Sequence, residues 1–227
     1  MKLRFLDPKH RLSVDTLAIA RRLKIVEAIE LGSGRSSALI VVADGSPDNR
    51  VLLVLAHILN GTSIVDVAFP AHKHVAVFEY LTSYALMSYT KILVLLDQED
   101  KPLEEIYRAL RSKAHVKELG QGKLSTFTLE TALRTSTLIL AVNGIDDPRF
   151  IKHTIEDHLI ALAEKLALIS PLTAPIDPKE AWHRVNRDVQ LKVLRQLLMR
   201  PQLAEEMFPQ QVKALKLLVG KSPPSTR

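Results

Sequence analysis

Three short apolar runs constrain this chain most: Ala38 to Ala43 (ALIVVA), Lys91 to Leu96 (KILVLL) and Thr137 to Val142 (TLILAV). Their apolar residues are continuous and do not alternate with polar ones. A strand of that kind needs cover on both faces, which is the situation of a parallel sheet between helices. Each run stops at a polar turn: Asp44-Gly45-Ser46-Pro47-Asp48, Asp97-Gln98-Glu99-Asp100 and Asn143-Gly144.

The segments between them have helical length and pattern. Asn49 to Asn60 is expected as a helix ended by Gly61, and His74 to Tyr89 as another. Pro102 to Lys113 carries Pro near its first position and Glu104 and Glu105 in its first turn, where acidic side chains suit the helix dipole. Phe150 to Leu166 completes the set. Lys2 to Leu6, Ile64 to Phe69 and Val116 to Leu119 are further expected strands. Asp15 to Glu30 suits a helix, with LKIVEAIEL able to finish as a strand. After Pro171 the character changes to helices near Lys179 to Met199 and Gln210 to Val219.

Strand and helix alternating in this way imply βαβ units and right-handed crossovers. The expected fold is therefore α/β and Rossmann-like: a mainly parallel sheet flanked by helices, with a helical C-terminal appendage. The expected division is an N-terminal extension over 1–37, an α/β domain over 38–170, and a helical segment with a disordered tail over 171–227.

Composition excludes some chemistry. With no cysteine there is no disulfide, thiolate metal site or cysteine nucleophile. The start MKLRFLDPKH lacks the apolar run of a secretory signal, and no uncharged stretch approaches the length of a membrane span. A cytoplasmic protein with no membrane partner is expected. The net charge of +6 permits nucleic-acid binding through phosphate neutralisation.

In an open parallel sheet, ligands bind outside the carboxyl ends of the strands. Asp44, Asp97, Glu99 and Asp100 gather there. Carboxylates are hard oxygen ligands, and several converging from neighbouring strands can hold Mg²⁺ while leaving room for water and substrate phosphate. The alternative is that they serve as turn formers and helix caps.

The run from Asp44 to Leu52, a strand ending in an acidic residue and Gly followed by a polar turn, an Asp and a helix, resembles the first motif of Toprim domains. The run Leu93 to Asp100 resembles the second, a strand ending in Asp-x-Asp. The resemblance covers about residues 38 to 145. It implies a Toprim-like fold, Mg²⁺ (or Mn²⁺) and nuclease-like phosphodiester chemistry on nucleic acid. It also implies that Asp44 is a general acid or base and that Asp97 is a metal ligand. Glu99, with its neighbour Asp100, falls where the second metal-binding aspartate is expected. Glu156 or Asp157 resembles a further acidic motif of nuclease-like members. Two departures stand out: Asp44 replaces a Glu and reaches about 1.3 Å less, and Glu99 replaces an Asp. A catalytically degenerate nucleic-acid-binding or scaffold protein is the alternative they leave open.

Arg35, Arg50, Lys101 and Arg149 are the residues expected to hold phosphates. Gly32 to Ser37 lacks the spacing and lysine of a P-loop and is expected as a connector. His153, Glu156, Asp157 and His158 match no zinc signature and suit a solvated helix face. His72 and His74 follow the second strand and either face solvent or approach the same edge. The basic C-terminal helices carry an apolar stripe at Val185, Val189, Val193, Leu194, Leu197 and Leu198, suited to packing or to a homodimer. A generic nucleotide-binding domain ranks last, because no G-x-G-x-x-G follows the first buried strand.

Overall fold

The computed structural model describes residues 1–34, 36–118 and 122–220. Its centre is a seven-stranded sheet. In chain order the strands are β1 (Lys2–Phe5), β2 (Ala38–Val42), β3 (Ile64–Ala68), β4 (Lys91–Asp97), β5 (Val116–Glu118), β6 (Leu124–Glu130) and β7 (Thr135–Asn143). In space the order is β1-β3-β2-β4-β7-β6-β5. The first five of these pair in parallel, and β6 and β5 add an antiparallel edge. The α/β class and the mainly parallel sheet follow the pattern of the sequence.

The helices are α1 (Arg11–Leu23), α2 (Asp48–Ile58), α3 (Leu81–Leu86), α4 (Leu103–Lys113), α5 (Ile155–Lys165), α6 (Pro178–Arg184), α7 (Arg187–Met199), α8 (Gln202–Met207) and α9 (Pro209–Val219). Alternate residues of the central strands feed two cores. Ile40, Val42, Leu93, Leu95 and Ile139 face α1, α2, α5 and the C-terminal helices. Leu39, Val41, Val94, Leu96 and Leu140 face α3, α4 and the 3₁₀ segment His74–Tyr80. This double burial is why those strands lack polar alternation.

The segment after residue 171 shares the first of these cores, and α9 lies against β7 and β4. Val193, Leu194 and Leu197 of its apolar stripe are buried in that core. β1 belongs to the sheet and α1 to the same core.

Four element boundaries differ from expectation, the first being the helix expected over 15–30, which runs Arg11–Leu23 and is followed by a 3₁₀ turn at Val26–Ala28. The helix expected over 150–166 begins only at Ile155. The helix expected from Lys179 to Met199 is broken at Val185 and Asn186, where Asn186 caps α7 through its side chain. The segment after Lys73 starts as 3₁₀ and becomes α-helical only at Leu81. Among the described residues no helix is long and apolar enough to cross a membrane.

β2 and β4 are neighbours, and their chains leave in opposite directions. β2 continues through α2 on one face to β3, while β4 continues through α4 on the other face toward β5. This is a topological switch point, where the two crossing connections leave a crevice at the strands' carboxyl ends.

Candidate functional site

Asp44 follows β2 and Asp97 ends β4, so both stand at the crevice. The Asp97 backbone N–H donates to Asp44 Oδ2 at 2.7 Å. Asp44 Oδ1 lies 2.5 Å from His74 Nδ1, an ion-pair contact, and accepts no aligned hydrogen bond. The Asp44 side chain is only 2% exposed.

A third strand end completes the floor. Asn143, in register with Asp97, donates through Nδ2 to Asp97 Oδ1 at 3.0 Å and to Asp48 Oδ1 at 2.7 Å. Its own Oδ1 accepts from Gln211 Nε2 of α9 at 2.7 Å. A helix of the C-terminal segment thereby fixes which way the amide points. Asp48 opens α2 and is buried.

The roof is the amino end of α5. Gly144, at φ +121°, lets the chain turn back so closely that a Cβ there would stand 2.4 Å from His153 Cβ. Only glycine permits that approach. The backbone of His153 then exchanges hydrogen bonds with Glu99 at 2.8 and 2.9 Å. The Ile155 N–H donates to Asp97 Oδ1 at 3.0 Å. An unpaired helical N–H aimed at a carboxylate is the usual electrostatic use of a helix start. Glu156 follows in the same turn. It is buried, and its Oε2 has no hydrogen-bond partner.

One cation from α6 enters the cluster. Lys179 Nζ lies 3.2 Å from Asp97 Oδ2 and makes a short contact with Glu99 Oε1. Glu99 holds a left-handed backbone at φ +57°, as does His74 at φ +52°. Non-glycine residues in that region carry strain that clusters at functional sites.

Burial pushes Asp48 and Asp97 well above the usual carboxylate range. The charges of Asp44 and Glu156 push both further, and Asp97 adds to the rise at Asp48. Glu156 is raised chiefly by burial. Burial pushes the Lys179 ammonium down, but Asp97, Glu99 and Glu156 outweigh it and hold the ammonium firmly charged. His74 is raised by its contact with Asp44. Four or more acids crowded at a largely buried edge, with Lys179 and His74 the cations among them, make a place that a divalent cation would relieve.

The other expected residues are placed differently. Asp100 is exposed. Arg50 forms a two-pronged ion pair with Asp15, both contacts at 2.9 Å. Lys101 pairs with Glu105 at 2.5 Å. Arg149 is bound to both Asp147 and Glu164. These three bases are engaged by neighbouring acids and none touches the carboxylate cluster. Arg35 lies outside the described residues.

The expected solvated face of α5 is also corrected. Glu156, Asp157 and His158 are buried. Asp157 Oδ2 accepts the Thr154 and Ile145 N–H groups, both at 3.1 Å. His158 Nε2 accepts from the Gly144 N–H at 3.1 Å and Nδ1 faces Met207 O at 2.6 Å, so the ring is neutral with its proton on Nδ1. Both are spent on positioning α5.

The sequence did not single out Asn143 or Lys179 for this cluster, and it left His74 undecided. Asn143 had a signal, the end of the third apolar run. Lys179 had none, being 80 residues from Glu99. Beside Asp44 opens a cleft of about 350 Å³ lined by His10, Arg11, Phe69 and Lys73. The chain has no match among protein-family models, curated proteins or solved structures.

Proposed function

We propose that this chain is a Toprim-like, metal-dependent phosphodiesterase acting on nucleic acid. The observation that carries the reading is the set of Asp48, Asp97 and Glu156. They are buried together at a sheet switch point, where burial makes all three harder to ionise and the charges of Asp44 and Glu156 add to the rise at Asp48 and Asp97. The orphaned Oε2 of Glu156 is the kind of buried acceptor that an ion satisfies. Asp97, Glu99 and Glu156 would hold Mg²⁺ or Mn²⁺. When bound, such an ion stabilises the attacking and leaving oxygens of a phosphodiester.

The rest of the work falls to the chain. Lys179 bridges Asp97 and Glu99 and brings a cation to the place where a phosphoryl oxygen would gain charge. Asp44 Oδ1, beside His74, faces the same space and is suited to take a proton when no ion holds it. Arg11, Lys73 and His10 line the cleft that leads to it and are placed to take backbone phosphates.

One observation favours a second reading, a binding module without catalysis. Asp44 is short and its Oδ2 is held by the Asp97 N–H. The experiment is a cleavage assay on single- and double-stranded DNA and RNA with Mg²⁺ or Mn²⁺, comparing the wild type with Asp97→Asn and Asp97→Ala. Metal-dependent cleavage lost in both variants supports the phosphodiesterase. Equal activity in the variants refutes the assignment, and tight nucleic-acid binding with no cleavage supports the second reading.

A further inference from the structure

The acidic cluster has an outer side that differs chemically from its floor. Asp48, Asp97 and Glu156 offer only oxygen, whereas the outer side brings an imidazole nitrogen against two carboxylates. One ligand atom each from Asp44, His74 and Glu99 lies within 4.8 Å of the others. Ligands about 2.1 Å from one ion stand at most about 4.2 Å apart, so a shift of tenths of an ångström closes the set. His74 Nδ1 is 2.5 Å from Asp44 Oδ1 and 3.8 Å from Glu99 Oε1.

Two further observations point to a ligand here. Asp44, 2% exposed, aims Oδ1 into this space, where the His74 ring nitrogen stands 2.5 Å from it. Glu156, 6% exposed, leaves Oε2 unpartnered in the adjoining floor. A buried carboxylate oxygen without a donor is costly unless something else satisfies it.

We infer that His74, Asp44 and Glu99 form a mixed nitrogen–oxygen metal position that takes a divalent transition ion such as Mn²⁺ in preference to Mg²⁺. The inference deepens the metal-dependent reading above and rests on it. Imidazole suits borderline ions, whereas Mg²⁺ takes oxygen and holds its waters. Asp44 keeps Oδ2 on the Asp97 amide and turns Oδ1 to the ion, so its reach, shorter than that of a Glu, is made up by the histidine. Lys179 Nζ and His74 Nδ1 approach the same oxygen of Glu99, Oε1, so an entering ion takes that oxygen from the ammonium. His74 is 47% exposed, so the position is open to entering ions.

The test is pulsed electron paramagnetic resonance of the full chain loaded with Mn²⁺. The wild type is expected to show ¹⁴N coupling from one imidazole. His74→Asn should lose that coupling, while His153→Asn, altered on the neighbouring loop, should keep it. Calorimetry should show Mn²⁺ affinity falling about tenfold in His74→Asn with Mg²⁺ affinity little changed. Absence of coupling in Mn²⁺-loaded wild type overturns the inference, as does coupling that survives in His74→Asn, or no Mn²⁺ binding at millimolar concentration. Cleavage without coupling defeats this inference alone, and coupling without cleavage defeats only the phosphodiesterase.

Discussion

Asn143 and Asp97 are register partners at the ends of adjacent strands, and the Asn143 amide donates to Asp97 Oδ1 at 3.0 Å. The same amide reaches Asp48, and its carbonyl receives Gln211. One neutral side chain therefore ties two acids and a distant helix together. Asn143→Ala is expected to cost about 2–3 kcal/mol, because it strands buried partners without a replacement. Asn143→Asp keeps the shape, swaps the donor for an acceptor and adds a buried charge. It should cost more in metal-free buffer and recover much of the loss when Mn²⁺ is added. Urea midpoints with and without Mn²⁺ measure both, and midpoints equal to wild type would remove Asn143 from this role.

Stability of the metal-free protein should fall as pH rises. Asp48, Asp97 and Glu156 have folded-state values raised above the ordinary carboxylate range, and burial pushes Asp157 up to about 7. Between the unfolded and folded values the native state holds more protons. The stabilisation is therefore complete below about pH 4 and is lost as pH climbs through the folded values. His158 opposes this. Burial lowers it to about 4, so its contribution is present above about 6.5 and lost as pH falls. The cleanest readout is a difference. Asp97→Asn should become progressively more stable relative to wild type from pH 4 to pH 8, by urea denaturation at fixed ionic strength. A constant difference across that range would contradict the assigned shift.

The sheet was legible where burial is two-sided. ALIVVA, KILVLL and TLILAV show continuous apolar character because residues of both parities reach a core. β6 was not legible. Its sequence LSTFTLE buries Ser125, Phe127 and Leu129 and leaves the intervening positions half-exposed, the weaker signal of an antiparallel edge. The helix expected from Phe150 starts at Ile155, because Gly144 draws His153 into backbone pairing with Glu99. That long-range constraint leaves no local mark. Asp44, Asp97, Glu99 and Glu156 do come together, since strand ends carried three of them. Arg50, Lys101 and Arg149 do not join them, because a basic residue in a loop or a first helical turn says nothing of the acid it will meet.

Metal should stabilise the chain in a pH-dependent way. An ion that binds only the folded state adds about 2.7 kcal/mol at a hundred times its dissociation constant. For a chain of this length that corresponds to a rise in Tm of roughly 5–10 °C. Ligand carboxylates must ionise first, so the rise should be larger at pH 8 than at pH 5.5. Calorimetric scans with Mn²⁺ check this, and Glu99→Gln and Asp97→Asn should each remove most of the shift. A shift of equal size in both variants would place the ion elsewhere.

Lys179 separates ion binding from chemistry. Its ammonium already neutralises Asp97 and Glu99, so it competes with an entering ion for the same oxygens. Lys179→Met keeps most of the stem's packing and removes the charge. Its metal affinity should therefore rise, by about tenfold if the loss of one competing charge at partly buried oxygens is worth about 1.4 kcal/mol. If the ammonium also meets a phosphoryl oxygen as charge builds in the transition state, the same variant should lose cleavage by about a hundredfold at saturating metal. The fall should lie in kcat, with KM little changed. Lys179→Arg should restore part of the rate, since a guanidinium still offers charge there but with a planar fork in place of a compact ammonium. Tighter metal with unaltered kcat in Lys179→Met would reduce Lys179 to a counter-ion of the carboxylates. Weaker metal in Lys179→Met would show that the lysine organises the carboxylates instead of competing for them.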